Sequence, residues 1–549
     1  MASLQNRGSA LLGYKLAAHL LRRATYNISK SRIEHFATLN VTAALNELFD
    51  YNSFTTSELE FPEPIAYDTG TPYVNSGSSS LTNSQLRYTV TNWFMEEARK
   101  ATTLQFKLSV FLHANFVATD ATFDYRAFYD YVSWFICYSK ESYKELAYKI
   151  TYDNRMLIYL SNQFNHKNAP NENYAREFLE LFTITKGEQI APGDYTNYTE
   201  LDVQQAARVL TGFRRDTNRL NLDPETGIPT GNAVYSIHDI GNKTFSHAFN
   251  NHTITGAIDV NDMFRELHDF VDMIFAQDAT AKNICRKLYR FFVRRNIDAE
   301  VENDIIIPLA TILKNNNYNI EITVRTLLSS KHFYDEDDSI HEDEIIGALV
   351  KPPLDVLLHS VNLLEANIGM PNAATVQERT NHYLFYLYSR IQFLNYSDMY
   401  LFRPLTVAGY KPMYQDPDYD KQWFSFNTQA VRYSIGKSII EGKRYFQSGN
   451  PNWRITFNVV TYVQNSGHFT NPRNAEILIN EVYKILLVEA PENFQHEYFF
   501  NEIFLRGLGI SNWMLEWDNY ISTGNETSVK GHLEDLFTEI MASIEYQVF

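Results

Sequence analysis

A histidine and a carboxylate stand side by side in one short polar segment, His238-Asp239-Ile-Gly241-Asn-Lys243. Loops of this composition frequently carry function. We expect His238 to act as a general base that Asp239 orients, while Lys243 binds an anion. The alternative is a structural turn in which the Asp239 side chain bonds the backbone near Gly241. No nucleophile elbow or glycine-rich phosphate loop accompanies the segment, so nucleophilic catalysis is not supported.

A second hypothesis places a divalent metal ion on His113, Glu177 and His238, with Glu180 and Asp239 as further candidate ligands. The chain has no His-Glu-x-x-His segment and no paired Glu-x-x-His segments, which weakens a zinc or di-iron assignment. A histidine in an apolar helix such as that of His113 is more often a hydrogen-bonded core residue. Both interpretations stay open, and the sequence names no other cofactor.

The segment 170–183, PNENYAREFLELFT, has the start signals of a helix. Glu172, Arg176 and Glu180 recur every four residues, so a helix would place them on one face as an acid–base–acid ladder. On an exposed face this ladder stabilises the helix only slightly. On a buried face Arg176 would clamp two carboxylates and leave Glu177 as an acid for catalysis or for a metal.

A second helix is predicted in the segment 198–212, YTELDVQQAARVLTG. Thr199 is a good N-cap, and Asp202 stands at the third helical position, which makes a variant of the capping box. Gly212 can close the helix. Capping explains these three residues without catalysis, but it gives no reason for Arg208.

The segment 403–423 is unusually aromatic for a loop, with Tyr410, Tyr414, Tyr419 and Trp423 among prolines, Asp and Gln. Flat rings beside polar groups could stack on sugar rings or anchor a partner chain. The alternative is a long loop that its aromatic side chains fix to the body of the protein. We therefore treat these four residues as a candidate binding loop.

The composition of the whole chain limits the function classes. With 549 residues, 44% of them hydrophobic, the chain is globular and too long for one ordinary core. It has 48 Lys+Arg against 65 Asp+Glu, a net charge of −17, which argues against a nucleic-acid partner. No apolar run spans a membrane. The first residues lack a signal-peptide pattern and Cys137 and Cys285 are expected to be free, so the sequence alone predicts a cytoplasmic protein.

Helical periodicity predicts the elements that must position these residues. We expect a mainly α fold, a large multi-helix body of two packed lobes, with a few short strands near 214–258 where the periodicity lapses. The N-terminal lobe, 1–334, carries both helical motifs, and the C-terminal lobe is 345–549. The acidic run at 335–344, DEDDSIHEDE, is predicted to be the hinge between the lobes.

The two helical motifs resemble the hallmark motifs of a bacterial family known as domain of unknown function 1800. The resemblance extends over nearly the whole chain, through the following segments: AAHLLRRATYNISKSRIEHF, LSVFLHANFV, HDIGNKTF, CRKLYRFFV, VKPPLDVLLHSVNLL, RPLTVAGY and EIMASIEYQVF. Two positions depart from the family pattern. Asn115 stands where relatives often have a second histidine, which weakens a nitrogen-rich metal site. Tyr410 stands where the sequences of relatives resemble a Gly-Trp pair.

The resemblance implies little about activity, because the family has none established. Members are often encoded beside a sulfatase-like family of unknown function 1501, which implies an exported or envelope-linked pair. We therefore predict an accessory protein that binds a sulfatase-like partner or an envelope polymer. The alternative is a metal-assisted hydrolase or modifying enzyme that uses His113, Glu177, His238 and Asp239, so whether the protein is an enzyme stays open.

Overall fold

The structure is a computed structural model. It describes residues 2–52, 63–75, 77, 79–119, 124–337, 345–442 and 457–549. Most of the predicted acidic hinge, residues 338–344, lies outside the described residues. The hinge and the division into two lobes therefore stay predictions.

Helices dominate the part of the chain that the structure describes, which confirms the predicted mainly α fold. The first α-helices are α1 (Gly13–Ala24), α2 (Lys30–Ala37), α3 (Val41–Leu48), α4 (Asn83–Lys100), α5 (Gln105–Asn115), α6 (Tyr125–Cys137), α7 (Tyr143–Thr151), α8 (Asn154–Tyr159), α9 (Glu172–Glu177), α10 (Glu200–Val209), α11 (Val260–Phe275), α12 (Asp278–Phe292), α13 (Ala299–Val301), α14 (Ile307–Asn315) and α15 (Ile320–Leu328). The later ones are α16 (Pro353–Leu363), α17 (Val376–Ser389), α18 (Lys411–Tyr414), α19 (Phe426–Ile440), α20 (Val459–Asn465), α21 (Ala475–Leu486), α22 (Asn493–Glu497), α23 (Ile510–Thr523), α24 (Thr527–Met541) and α25 (Ile544–Gln547).

Shorter helical turns connect or extend these helices. The 3-10 turns are Asn162–Phe164, Tyr235–Ile237, His247–Phe249, His332–Tyr334, Asn395–Ser397 and Tyr419–Trp423. The π turns are Phe178–Phe182, Glu302–Ile306, Arg390–Leu394 and Tyr498–Phe504. In a π turn the backbone hydrogen bonds join residues five positions apart instead of four, so the side chains no longer follow the α-helical register. The π turn at 178–182 directly follows α9 and changes which residues α9 can pair.

Short antiparallel strand pairs accompany the helices, and two pairs lie where strands were predicted. The pairs are β1 (Gln189–Ala191) with β2 (Asp194–Tyr195), β3 (Phe213–Arg214) with β4 (Asn232–Ala233), and β5 (Lys243–Thr244) with β6 (Thr253–Ile254). The pairs β3–β4 and β5–β6 fall in the predicted region near 214–258. The pair β1–β2 precedes that region and was not predicted.

The chain between residues 30 and 48 forms two helices, α2 and α3, that share one apolar stripe. Asn40 has an extended backbone, and its side chain accepts a hydrogen bond of 2.9 Å from Ala43 N. This N-cap starts a new helix and separates it from the one before. The apolar stripe continues across the break, with Ile33, Phe36 and Leu45 all buried.

One continuous cluster of buried apolar side chains runs through the described chain, from Leu12 in the N-terminal segment to Tyr546 in α25. The cluster therefore includes residues of both predicted lobes. Among the described helices, none combines the length and the apolar character that crossing a bilayer requires.

Two buried arginines at the end of α1 connect distant parts of the chain. Arg22 donates hydrogen bonds of 2.9 Å to the carbonyls of Leu486 and Ile485, at the end of α21. Arg23 donates one of 2.8 Å to the carbonyl of Phe292, the last residue of α12. The last carbonyls of a helix lack partners within it, so the two guanidinium groups cap α21 and α12 from α1.

Candidate functional site

A cavity of about 340 Å³ lies where α5, the π turn 178–182, α12 and the segment 407–423 meet. This volume is at the lower end of the usual range for small-molecule sites, roughly 300 to 1,000 Å³. The cavity thus brings together the end of α5, the end of the predicted helical segment 170–183 and the predicted aromatic loop. Phe549 contributes a further part of the wall.

Helix α12 contributes a polar face to this cavity through Asn283, Lys287 and Arg290. Their spacing of four and three residues places them on one side of the helix. Lys287 Nζ donates a hydrogen bond of 2.7 Å to the carbonyl of Leu181 in the π turn. Arg290 Nε donates one of 3.2 Å to the carbonyl of Arg295. Both cations are therefore bonded to neutral acceptors.

No carboxylate lies within ion-pair distance of Lys287 or Arg290 among the residues that the structure describes. Burial lowers the pKa of the Lys287 amine to about 8. Burial also lowers the pKa of Arg290, although the charges of Tyr419, Asp416 and Glu302 act in the opposite direction. A guanidinium remains charged at neutral pH, and most of the Lys287 amine does too. The cavity wall therefore holds two positive charges that form no ion pair with a carboxylate of the described residues.

The carboxylates of the cavity wall already have partners of their own. Asp420 Oδ2 lies 3.1 Å from Arg295 and accepts a hydrogen bond of 2.7 Å from Val350 N. Glu180 forms an ion pair of 2.5 Å with Lys186. Their negative charges are thus largely offset outside the cavity, and the electrostatic balance inside it is positive.

Aromatic rings from the predicted binding loop form part of the wall. Tyr414, Tyr419 and Trp423 all line the cavity. The Arg290 guanidinium lies over the Tyr419 ring, 4.3 Å from its centre, in a cation–π contact. Tyr419 has a φ of 40°, which is rare for a bulky residue and requires support from its surroundings. The wall therefore offers flat rings next to fixed charge.

A glycine lets the loop segment approach α5 closely. Gly409 has a φ of 95°, and a Cβ at this position would lie 2.8 Å from the carbonyl oxygen of Ala114. Ala114 and Asn115 line the cavity at the end of α5. Any larger residue at 409 would push the loop away from this wall.

Tyr410, the fourth aromatic residue of the predicted loop, packs into the core instead. Its hydroxyl accepts a hydrogen bond of 3.0 Å from Phe402 N and lies 3.5 Å from His113 Nδ1. His113 is fully buried, and the rings of Phe135 and Phe402 also contact it. Burial lowers the pKa of His113 to about 3, so the imidazole is neutral at physiological pH.

The predicted acid–base–acid ladder forms only in part. Arg176 pairs with Glu172 at 3.2 Å, but its closer partner is Glu200 of α10 at 2.6 Å. Glu180 does not complete the ladder, because the π turn shifts it out of register and it pairs with Lys186. The predicted ladder is corrected to an ion pair between α9 and α10, and Glu180 faces the cavity instead.

The predicted capping box at the start of α10 is confirmed, but Gly212 does not close the helix, because α10 ends at Val209 with Leu210 as its C-cap. The structure also supplies the missing partner of Arg208. Thr199 and Asp202 form the predicted capping box, and the Asp202 carboxylate also accepts a hydrogen bond from Ser246 N at 2.7 Å. Arg208 forms a bidentate pair with Asp239, at 2.8 and 3.0 Å. Both contacts join α10 to the polar segment after it.

His238 and Asp239 point to different partners. His238 Nε2 lies 3.1 Å from Glu266, and Lys243 lies 2.6 Å from the same carboxylate. All three side chains are fully buried. Asp239 accepts a hydrogen bond of 2.9 Å from Gly241 N, which is the turn predicted as the alternative. His238 and Lys243 of this segment therefore form a buried triad with Glu266 of α11. Asp239 does not orient His238.

The candidate metal ligands lie in separate surroundings. His113 is enclosed by aromatic rings, whereas His238 belongs to the buried triad. Burial raises the pKa of Glu177, and the negative charge of Glu180 nearby raises it further. Within the described ranges, no three His, Cys, Asp or Glu side chains are grouped so that they could hold a metal ion.

The sequence reasoning missed the basic face of α12, although a signal for it exists. In AKNICRKLYRFF, the polar residues Asn283, Lys287 and Arg290 recur with helical spacing between apolar neighbours. Arg286, on the same helix, pairs with Glu302 at 2.5 Å, whereas Lys287 and Arg290 have no such partner. This difference depends on tertiary contacts and cannot be read from the spacing.

The fold is mainly α-helical, and its cavity is lined by Lys287, Arg290 and several aromatic side chains. A sequence model of the family described as "Protein of unknown function (DUF1800)" matches residues 19–509. The chain therefore belongs to this family, as its motifs indicated. No curated protein and no solved structure matches the chain.

Proposed function

We propose that this protein binds a small anionic ligand in the cavity, with the anionic group on Lys287 and Arg290. The observation that carries the proposal is the pair of cavity-lining cations without carboxylate partners. Burying a charge without a partner destabilises a protein, so a ligand that supplies the negative charge would relieve this penalty.

The charge of the whole chain strengthens this argument. The protein carries a net charge of −17, yet the cations of the cavity wall outnumber its free carboxylates. General cationic character cannot explain such a site in an acidic protein. A specific requirement for negative charge inside the cavity explains it better.

The aromatic wall favours a ligand whose anionic group is attached to a ring. Tyr414, Tyr419 and Trp423 offer flat surfaces of the kind that stack on sugar or aryl rings. Sulfated or acidic sugars combine a ring with an anion and fit a cavity of this size. The ligand could be the end group of an envelope polymer or a group that a sulfatase-like partner handles, as the family resemblance suggests.

The proposal can be tested by isothermal titration calorimetry of the full chain with sulfate, phosphate, glucose 6-sulfate, glucuronate and uncharged glucose. We expect binding of the charged sugars and no binding of glucose. Because a charge-assisted hydrogen bond contributes about 1.5–3 kcal/mol, Arg290→Gln should weaken binding about tenfold to a hundredfold.

Lys282 provides a matched control, since it lies on α12 but does not line the cavity. Lys282→Gln removes one positive charge from the same helix and should leave the affinity within about twofold, as expected for a screened surface charge. Equal losses in Lys282→Gln and Arg290→Gln, or no binding of any anion, would overturn the proposal.

A further inference from the structure

We infer that Lys287 is a nucleophilic amine that forms an imine with an anionic carbonyl compound, an aryl-substituted 2-oxo acid, whose carboxylate is held by Arg290. This inference rests on the proposed function, because it places one chemical class on the same two cations. It adds a covalent bond to the non-covalent anion site.

The contacts of Lys287 leave its amine available. Nζ bonds one neutral acceptor, the carbonyl of Leu181 at 2.7 Å, and the partly buried side chain lines the cavity. A lysine that is paired with a carboxylate is held as an ammonium ion. Lys287 has no such partner among the described residues, and desolvation beside another cation is the setting in which lysines become nucleophilic.

Burial, and not a neighbouring charge, lowers the pKa of Lys287. The other titratable groups of the cavity wall are Glu180 from the π turn, Arg290 on the same helix, and Tyr414, Tyr419 and Asp420 from the loop segment. Glu180 and Asp420 are engaged by Lys186 and Arg295, so neither holds the Lys287 proton. With its pKa lowered to about 8, roughly one tenth of the Lys287 amine is neutral at pH 7.

The reaction balances without a redox partner. The neutral amine attacks the carbonyl carbon and forms a C–N bond, giving a carbinolamine. The carbon–oxygen bond then breaks, and the oxygen leaves as water with the two protons of the amine. The product is an imine on Lys287, and hydrolysis by the same route returns the free ligand.

The spacing of the two cations selects the class of carbonyl compound. Side chains three residues apart on a helix have Cβ atoms about 5–6 Å from each other. One small molecule that carries its carboxylate next to its carbonyl can therefore reach Lys287 and Arg290 together. The rings of Tyr414 and Trp423 line the same cavity and would contact an aryl substituent.

Reductive trapping tests the inference. The full chain is incubated with phenylpyruvate and sodium cyanoborohydride, which reduces an imine to a stable secondary amine, and the modified lysine is located by peptide mass spectrometry. We expect Lys287 to be the main site, with a trapping rate that rises from pH 6.5 to pH 8.5. Phenylacetone, a ketone that has the ring but no carboxylate, should react at least about tenfold more slowly at low concentration.

Two variants separate the roles of the cations. Lys287→Arg keeps the positive charge and should lose the adduct while still binding sulfate in calorimetry. Arg290→Gln should slow trapping by phenylpyruvate about tenfold and leave trapping by phenylacetone unchanged. If a variant does not fold, competition in the wild-type chain serves instead, because sulfate should protect Lys287 from phenylpyruvate.

The outcomes distinguish this inference from the proposed function. Adducts spread over surface lysines, with Lys287 modified no faster than Lys282, overturn the imine even if sulfate binds. An adduct on Lys287 that forms equally fast with phenylacetone overturns the assignment of the carboxylate to Arg290. Absence of both sulfate binding and selective trapping overturns the inference and the proposed function together.

Discussion

Lys287 and Arg290 differ from Arg286 on the same helix in the groups that they contact. Arg286 has Glu302, whereas the Lys287 amine has a backbone carbonyl and Arg290 has a carbonyl and the ring of Tyr419. A charged side chain without an ion-pair partner in a cavity wall stabilises the fold less than a paired one. A residue that works against stability in this way is a good candidate for a functional role.

Anion binding should depend on pH through Lys287. Its pKa is lowered to about 8, so the amine is positive below that pH and loses its charge as the pH rises through it. Sulfate keeps its charge over this range, and we therefore expect its affinity to fall about tenfold between pH 7 and pH 9.5, measured by calorimetry. Lys287→Arg should show a flat profile, because a guanidinium stays charged. The same fall in that variant would contradict the assignment to Lys287.

At the scale of elements, the cavity depends on how closely the loop segment 407–423 lies against α5. The sequence indicated that this loop was special, because Tyr414, Tyr419 and Trp423 crowd into a polar stretch. It could not indicate that Tyr410 packs into the core beside His113, since that choice is made by the aromatic residues of distant helices. Periodicity located α5, α9, α10 and α12, but it does not detect a π turn, and Glu180 was therefore assigned to the wrong partner.

Substitution of Gly409 should open this wall. Gly409→Ala adds a Cβ that would lie 2.8 Å from the carbonyl of Ala114, in addition to the strain of a φ of 95°. We expect it to weaken anion binding and to lower the free energy of unfolding by about 2 kcal/mol or more, as measured by urea denaturation.

Gly467→Ala is the matched control for this change. Gly467 has a φ of 76°, but a Cβ there meets no atom within 4 Å. It should destabilise the protein by only about 1 kcal/mol and leave anion binding unchanged. Equal effects at both positions would show that the contact with Ala114 is unimportant.

The buried triad connects the β5 strand to α11 and makes a separate prediction. Glu266→Ala leaves Lys243 and His238 buried without their carboxylate, and we expect a loss of about 3–5 kcal/mol in the free energy of unfolding. The partly exposed Arg176–Glu200 pair is the comparison, since Glu200→Ala should cost about 1 kcal/mol or less. A loss below 1 kcal/mol for Glu266→Ala would contradict the role of the triad.

At the scale of the whole molecule, contacts distant in sequence hold the described chain together. The sequence predicted the helical class and most helices, but it gave no sign of α14, α20 or α23. Nothing in the sequence indicated a role for Arg22 or Arg23. Their partners are backbone carbonyls of α21 and α12, hundreds of residues away in the sequence. Every residue has a backbone carbonyl, so the sequence cannot show which one accepts a hydrogen bond.

These contacts predict how the protein unfolds. Because the apolar cluster is continuous and Arg22 joins α1 to α21, the two predicted lobes should not unfold independently. We expect differential scanning calorimetry to show one transition whose calorimetric and van't Hoff enthalpies agree. Two separated transitions would contradict this expectation and would instead support independent lobes.

The position of Trp423 has a practical consequence. Among the described tryptophans it is the one that lines the cavity, and its side chain is only 1% exposed. A bound ligand would therefore change the surroundings of the Trp423 indole, whereas the other described tryptophans do not line the cavity. The emission spectrum of the unlabelled protein should report occupancy directly, and a Trp423→Phe variant would identify the source of the signal, so libraries of unmodified compounds can be screened by fluorescence.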